Sequence, residues 1–138
     1  MPDATDALPI VAWGQNEPRA YWLIEVDADQ RLRLSTGSGF ISAYEQQIGD
    51  GNWHHVAVVL DPADAEHPLI SDVLLYVDGM RRTIYRMQEA EIDTGCVENL
   101  RIGAAHGPGA DTFAGTIDEV TIFDAAVHAT AIRRAHIQ

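Results

Sequence analysis

The sequence predicts an all-β domain, a sandwich or barrel of short antiparallel strands closed by one C-terminal helix. Three observations carry this. Apolar and polar residues alternate in short segments, the period of a half-buried strand. Turn signals built on Gly, Asp and Asn punctuate these segments at regular spacing, which leaves no room for the crossover helices of a parallel sheet. Only the stretch after Asp124 changes to a helical pattern.

The chain opens with a short apolar run at residues 10–13, read as a strand and closed by Gly14. A polar loop over 15–19 follows. In residues 21–26, Trp22, Ile24 and Val26 face one way and Tyr21, Leu23 and Glu25 the other. Residues 27–30 read as a turn. Residues 31–35 then return with Leu32 and Leu34 inward and Arg31, Arg33 and Ser35 outward, so the two strands form a hairpin. Gly37-Ser38-Gly39 is a second turn, and Phe40-Ile41 begins another short strand.

The stretch running from Asp50-Gly51-Asn52 through Trp53-His54-His55 to Asp61 organises the remainder. Residues 56–60 are uncharged and rich in valine. This is the pattern of a strand buried on both faces, expected in the middle of a sheet and not at its edge. A polar loop with Asp64, Glu66 and His67 leads to a rich strand at 73–77. Asp78-Gly79 is the strongest hairpin signal in the chain, because a tight primed turn needs positive φ. The return strand at 81–86 is more polar and suits a solvated face. A short strand at 99–104 runs into a glycine-rich loop at 103–110. Residues 113–123 alternate through Phe113, Gly115, Ile117, Val120 and Ile122 and predict a long strand. Asp124 then caps a helix over 125–136, with Arg133 and Arg134 in its last turn, where cations oppose the dipole favourably. The sum is nine strands and one helix, with no internal repeat.

The chain has 138 residues, enough for one domain with a single core. Its net charge is -12, and arginine is its only strong base. Such a surface repels phosphate backbones and anionic membranes, so neither nucleic acid nor membrane is an expected partner. The acidity suits cation binding or a basic partner; equally, it is a plain solubility device. No apolar run approaches the ~20 residues that span a bilayer. The N-terminus has no basic region before an apolar core, so the sequence shows no secretory signal. Cys96, the single cysteine, excludes an internal disulfide and reads as a small buried hydrophobe.

Three pieces, in this order and spacing, resemble the laminin-G-like domains of the concanavalin A-like lectin/glucanase superfamily. They are Asp50-Gly51-Asn52-Trp53-His54-His55-Val56-Ala57, then Leu75-Tyr76-Val77-Asp78-Gly79, then Phe113-Ala114-Gly115-Thr116-Ile117-Asp118-Glu119-Val120-Thr121-Ile122-Phe123. Asn99-Leu100-Arg101-Ile102-Gly103-Ala104 fits the strand before the family's last glycine-rich loop. The resemblance covers about residues 10 to 136. It implies a jelly-roll of two packed antiparallel sheets, a packing role for the Trp53-His54-His55 stretch, and an extracellular or periplasmic setting. The family usually opens with one or two more strands than the one at 10–13. That departure predicts an open edge beside the first strand and pairing there with a second copy of the chain.

Several residues invite a functional reading. Glu25-Val26-Asp27-Ala28-Asp29 resembles the carboxylate triplet of glycoside hydrolases in the superfamily, where two carboxyls ~5–5.5 Å apart act on a sugar bond. Here the triplet runs into a turn, which takes the carboxylates off one face, so no catalytic residue is expected. His54 and His55 are adjacent, which on a strand sends them to opposite faces and prevents shared metal binding. The resemblance implies calcium as a ligand, with Asp27, Asp29, Asp111 and Asp118 near loop ends as the candidate oxygen donors. Tyr21, Tyr85 and His106 are the candidate ligand contacts, since exposed aromatics on a sheet face stack on sugars. Together these imply a non-catalytic recognition or adhesion module for a glycan or protein. The alternatives are a glycoside hydrolase and a purely structural module.

Overall fold

The computed structural model describes residues 8–14, 21–36, 38–92, 100–104, 113–123 and 125–136, with the backbone alone at Tyr21, Glu45, Gln46 and His136. Among these residues nine strands form two antiparallel sheets. They are β1 (Leu8–Gly14), β2 (Tyr21–Val26), β3 (Arg31–Ser35), β4 (Phe40–Gln47), β5 (Val56–Leu60), β6 (Val73–Val77), β7 (Met80–Arg81), β8 (Ile84–Gln88) and β9 (Arg101–Ile102). A single helix, α1 (Ala129–His136), follows. The large sheet has the order β8-β4-β3-β2-β1-β9, and the small one β5-β6-β7.

Alternation builds the core as expected. Leu32 and Leu34 of β3 and Ile41 and Ala43 of β4 meet Val73, Leu75 and Val77 of β6. Trp22 and Ile24 pack against the same cluster. The opposite face of the small sheet is also covered: Val59 and Tyr76 bury against Ile132 of α1, with Ala57, Leu74 and Val127 around them. Residues 56–60 are therefore apolar on both faces for the reason the sequence suggests. Their position differs, however. Among the described strands β5 pairs only with β6 and lies at the edge of its sheet, while β6 is the central strand.

The hairpin signals hold. Asp78 and Gly79 have φ of 53° and 79°, and they turn β6 into β7. At the β2–β3 turn, Asp27 Oδ1 accepts the N–H groups of Asp29 (2.9 Å) and Arg31 (3.0 Å), and Gln30 takes a positive φ of 64°. This local bonding is what an aspartate offers a turn.

Other expectations change. The return strand splits in two: Met80 and Arg81 pair with β6, while β8 pairs with β4 in the large sheet. Arg82 and Thr83 make the crossing, through Arg82 N to Leu75 O (2.8 Å) on one side and Tyr44 N to Thr83 O (2.8 Å) on the other. The strand begun at Phe40 runs to Gln47. Among the described residues, 113–123 form no ladder, and Val120, Ile122 and Phe123 are exposed; alternation supplied the face, but no described strand pairs with it. Helix α1 starts at Ala129, four residues later than expected, and the capping role given to Asp124 lies outside the described residues. Trp53 is 70% exposed, not core, because β5 begins three residues after it and Trp53 lies between the bend at 50–52 and that strand. Nor is β1 an open edge throughout, since Val11 and Ala12 pair with Ile102 and Arg101 of β9. Cys96 lies outside the described residues.

The junction of β4 and β8 is tight. A Cβ at Gly39 would stand 2.4 Å from the Gln88 carbonyl oxygen and 2.8 Å from Ala90 Cβ. Backbone must move to admit it, so Gly39→Ala is expected to cost roughly 1–3 kcal/mol. A urea midpoint equal to that of the parent protein would show that this contact is soft.

Candidate functional site

The outer face of the large sheet, turned away from the core, carries the densest group of aromatic and cationic side chains described. Alternation places Arg31 and Arg33 of β3 there, opposite the buried Leu32 and Leu34. Tyr44 follows the buried Ala43 on β4 and is 52% exposed. On β8 the register shifts: Ser42 pairs with Arg86 and Ala43 with Ile84, which leaves Tyr85 as an extra residue. A bulge of this kind re-aims a side chain. Tyr85 and Arg86 thus contribute to one face, and the Tyr44 and Tyr85 rings lie 5.5 Å apart, tilted by 38°.

Arg31 joins the pair. Its guanidinium carbon is 4.4 Å from the Tyr85 ring centroid and 5.4 Å from that of Tyr44. Arg86 approaches Tyr85 from another side at 5.1 Å. Ring faces attract cations electrostatically, so these contacts hold the guanidinium groups in place. Arg33 behaves differently. It lies 5.7 Å from the Phe40 ring and donates from Nε to Glu25 Oε1 at 2.6 Å, across the β2–β3 pair.

Glu25 is only 4% exposed. Burial raises its pKa above the ordinary 4.5, outweighing the downward pull of the Arg33 charge and hydrogen bond. Asp27 is buried in its turn and already accepts two backbone N–H groups. Each carboxylate of the hydrolase-like triplet that is buried therefore has partners within the fold. Asp29 is exposed. Asp118 is exposed too, and its Oδ1 accepts the Glu119 N–H at 2.8 Å. Among the described residues no three His, Cys, Asp or Glu side chains stand close enough to hold one metal ion. The two ring nitrogens of His54 meet carboxylates, Nε2 that of Asp50 at 2.8 Å and Nδ1 that of Asp78 at 2.9 Å.

Of the residues singled out from the sequence, Tyr85 lies within this aromatic and arginine group. The side chain of Tyr21 and all of His106 and Asp111 lie outside the described residues. Arg31 and Arg86 were not singled out as ligand contacts. Arg31 was legible as outward-facing from alternation alone. Tyr44 could not be placed on a face, because the sequence marks where the strand at Phe40-Ile41 begins and not where it ends. Nothing in the sequence marks the bulge that turns Tyr85 beside it.

A laminin-G family model, described as the concanavalin A-like lectin/glucanases superfamily, matches residues 1–133. No curated protein and no solved structure matches the chain. The described residues include no helix long and apolar enough to cross a membrane. With two packed antiparallel sheets and a match over almost its whole length, the chain belongs to the laminin-G-like domains of the concanavalin A-like lectin/glucanase superfamily.

Proposed function

We propose that this chain is a non-catalytic recognition module that binds a glycan or a protein through the outer face of its large sheet. One observation carries the reading. Tyr44 and Tyr85 stand side by side and exposed on that face, held there by ladder geometry and a bulge. Buried aromatics serve packing; exposed, adjacent rings on a sheet face offer a flat apolar platform with polar rims. The engagement of Glu25 by Arg33 and of Asp27 by its own turn favours binding over hydrolysis. Calcium assistance belongs to the same proposal, with the exposed Asp29 and Asp118 as the available donors.

A glycan array run with calcium and with chelator tests it. The parent protein is expected to bind, and Tyr44→Ala and Tyr85→Ala to weaken binding by about tenfold each, since a stacked aromatic contributes on the order of 1 kcal/mol or more. Binding lost with chelator supports the calcium-assisted form. Hydrolysis of a β-glucan, abolished by Glu25→Gln, would replace this reading with an enzymatic one.

A further inference from the structure

We infer that β8, the outer strand of the large sheet, takes up an extended segment of a partner protein in which apolar and acidic residues alternate. This goes beyond the reading above and concerns the rim of the sheet, not its face. Among the described strands β8 pairs only with β4 and ends the sheet. Its residues, Ile84 to Gln88, are all exposed. A last strand turns a row of N–H and C=O groups away from the sheet, and an extended peptide can pair with that row.

The side chains of β8 set what such a segment must carry. Cross-strand partners share one face of a sheet. Ile84 pairs with Ala43 and Met87 with Ile41, and both Ala43 and Ile41 are buried in the core. Ile84 and Met87 therefore point to the core side. They remain 38% and 45% exposed all the same, because no described strand lies beyond them. An added strand with apolar residues on that side covers both. Its alternate residues then face outward, where Arg86 stands exposed. Among the described residues no acidic side chain forms an ion pair with Arg86 or Arg81.

Charge selects the partner. Residues 80–88 contain Arg81, Arg82 and Arg86 and no acid, in a chain with nine basic and 21 acidic residues. At physiological salt, charges further than about 8 Å away are largely screened, so an acidic segment meets these local cations and not the acidity of the whole chain. A second copy of the chain fits less well. Twofold pairing of two β8 strands sets their Arg86 side chains opposite or diagonal to each other, and like charges so placed destabilise a ladder. The bulge at Tyr85 interrupts regular pairing, so the segment taken up is short.

Fluorescence anisotropy on the intact chain tests this with labelled hexapeptides that alternate valine with glutamate, glutamine or lysine. The glutamate peptide is expected to bind about tenfold tighter than the lysine peptide. Arg86→Glu is expected to weaken the glutamate peptide by about tenfold, to strengthen the lysine peptide, and to leave the glutamine peptide within about twofold. N-methylation of every residue of the glutamate peptide removes its N–H groups and keeps its side chains; it is expected to abolish binding. Equal affinity for the glutamate and lysine peptides would overturn the acidic partner. Binding that survives N-methylation would overturn strand addition. Binding of none of the peptides would overturn the inference and make the arginines a guard against pairing at this edge. Dimerisation of the chain that competes with the glutamate peptide would make a second copy the occupant and overturn the choice made here.

Discussion

Leu75→Ala should lower the unfolding free energy by about 2–5 kcal/mol, a large fraction of a small domain's total stability. Leu75 is fully buried on β6, the central strand of the small sheet. It faces Leu32, Leu34 and Ile41 of the large sheet across the core. The cavity left by alanine closes poorly, because β6 is laddered to β5 and β7, and its carbonyl accepts the Arg82 N–H at 2.8 Å. The neighbouring positions Leu74 and Tyr76 are occupied on the other face, towards α1, so the strand has no free direction in which to settle. Urea unfolding with an unchanged slope measures the loss. A surface control, Ile122→Ala, should move stability by less than about 0.5 kcal/mol. A Leu75→Ala cost below that of the control would mean the two sheets are not packed through this residue.

The second large effect is a pH dependence centred on His54. Its ring bridges Asp50 on the bend and Asp78 at the β6–β7 turn, and both nitrogens must donate for both bonds to form. Burial disfavours the imidazolium, but the hydrogen bonds to Asp78 and Asp50 outweigh it and raise the His54 pKa above 6.5. A raised histidine contributes stability that is fully present below 6.5 and is lost as pH rises through the folded value. Asp50 works at the other limit. The Asn52 backbone N–H and then the His54 ring lower its pKa from 3.8 to about 2. Its contribution is present above 3.8 and is lost as pH falls towards about 2. The bridge is therefore strongest between these limits.

Asp78→Asn isolates the effect. Asparagine tolerates the positive φ of 53° at this position, so the turn survives while the charge goes. The variant is expected to lose about 1–3 kcal/mol at pH 6 and less at pH 9, since the charged form of His54 that the bridge stabilises is favoured less as pH rises. Urea midpoints at the two pH values measure this. An equal loss at both would mean that the bridge works as a neutral hydrogen bond.

What the sequence disclosed was local. The hairpin of β2 and β3 and the Asp78-Gly79 turn follow from alternation and from backbone conformations that few residues accept. Inward and outward faces of Trp22, Ile24, Leu32 and Leu34 were legible for the same reason. Non-local choices were not. Apolarity on both faces of residues 56–60 is the same for a central strand and for an edge strand under a helix. The crossing at Arg82 and Thr83 interrupts no alternation, because Thr83 continues the pattern of the strand before it. Of the candidate site, the outward arginine of β3 and the exposed Tyr85 were visible, but their meeting depends on which strands pair and in what register.

The bulge on β8 has a bearing on how this surface can change over time. Ser42 pairs with Arg86 and Ala43 with Ile84, so the ladder closes on both sides without using Tyr85 as a partner. That position is surplus to the pairing. Its side chain can be exchanged while the strands around it keep their neighbours, so the chemistry of this face can vary without the scaffold relearning how to fold.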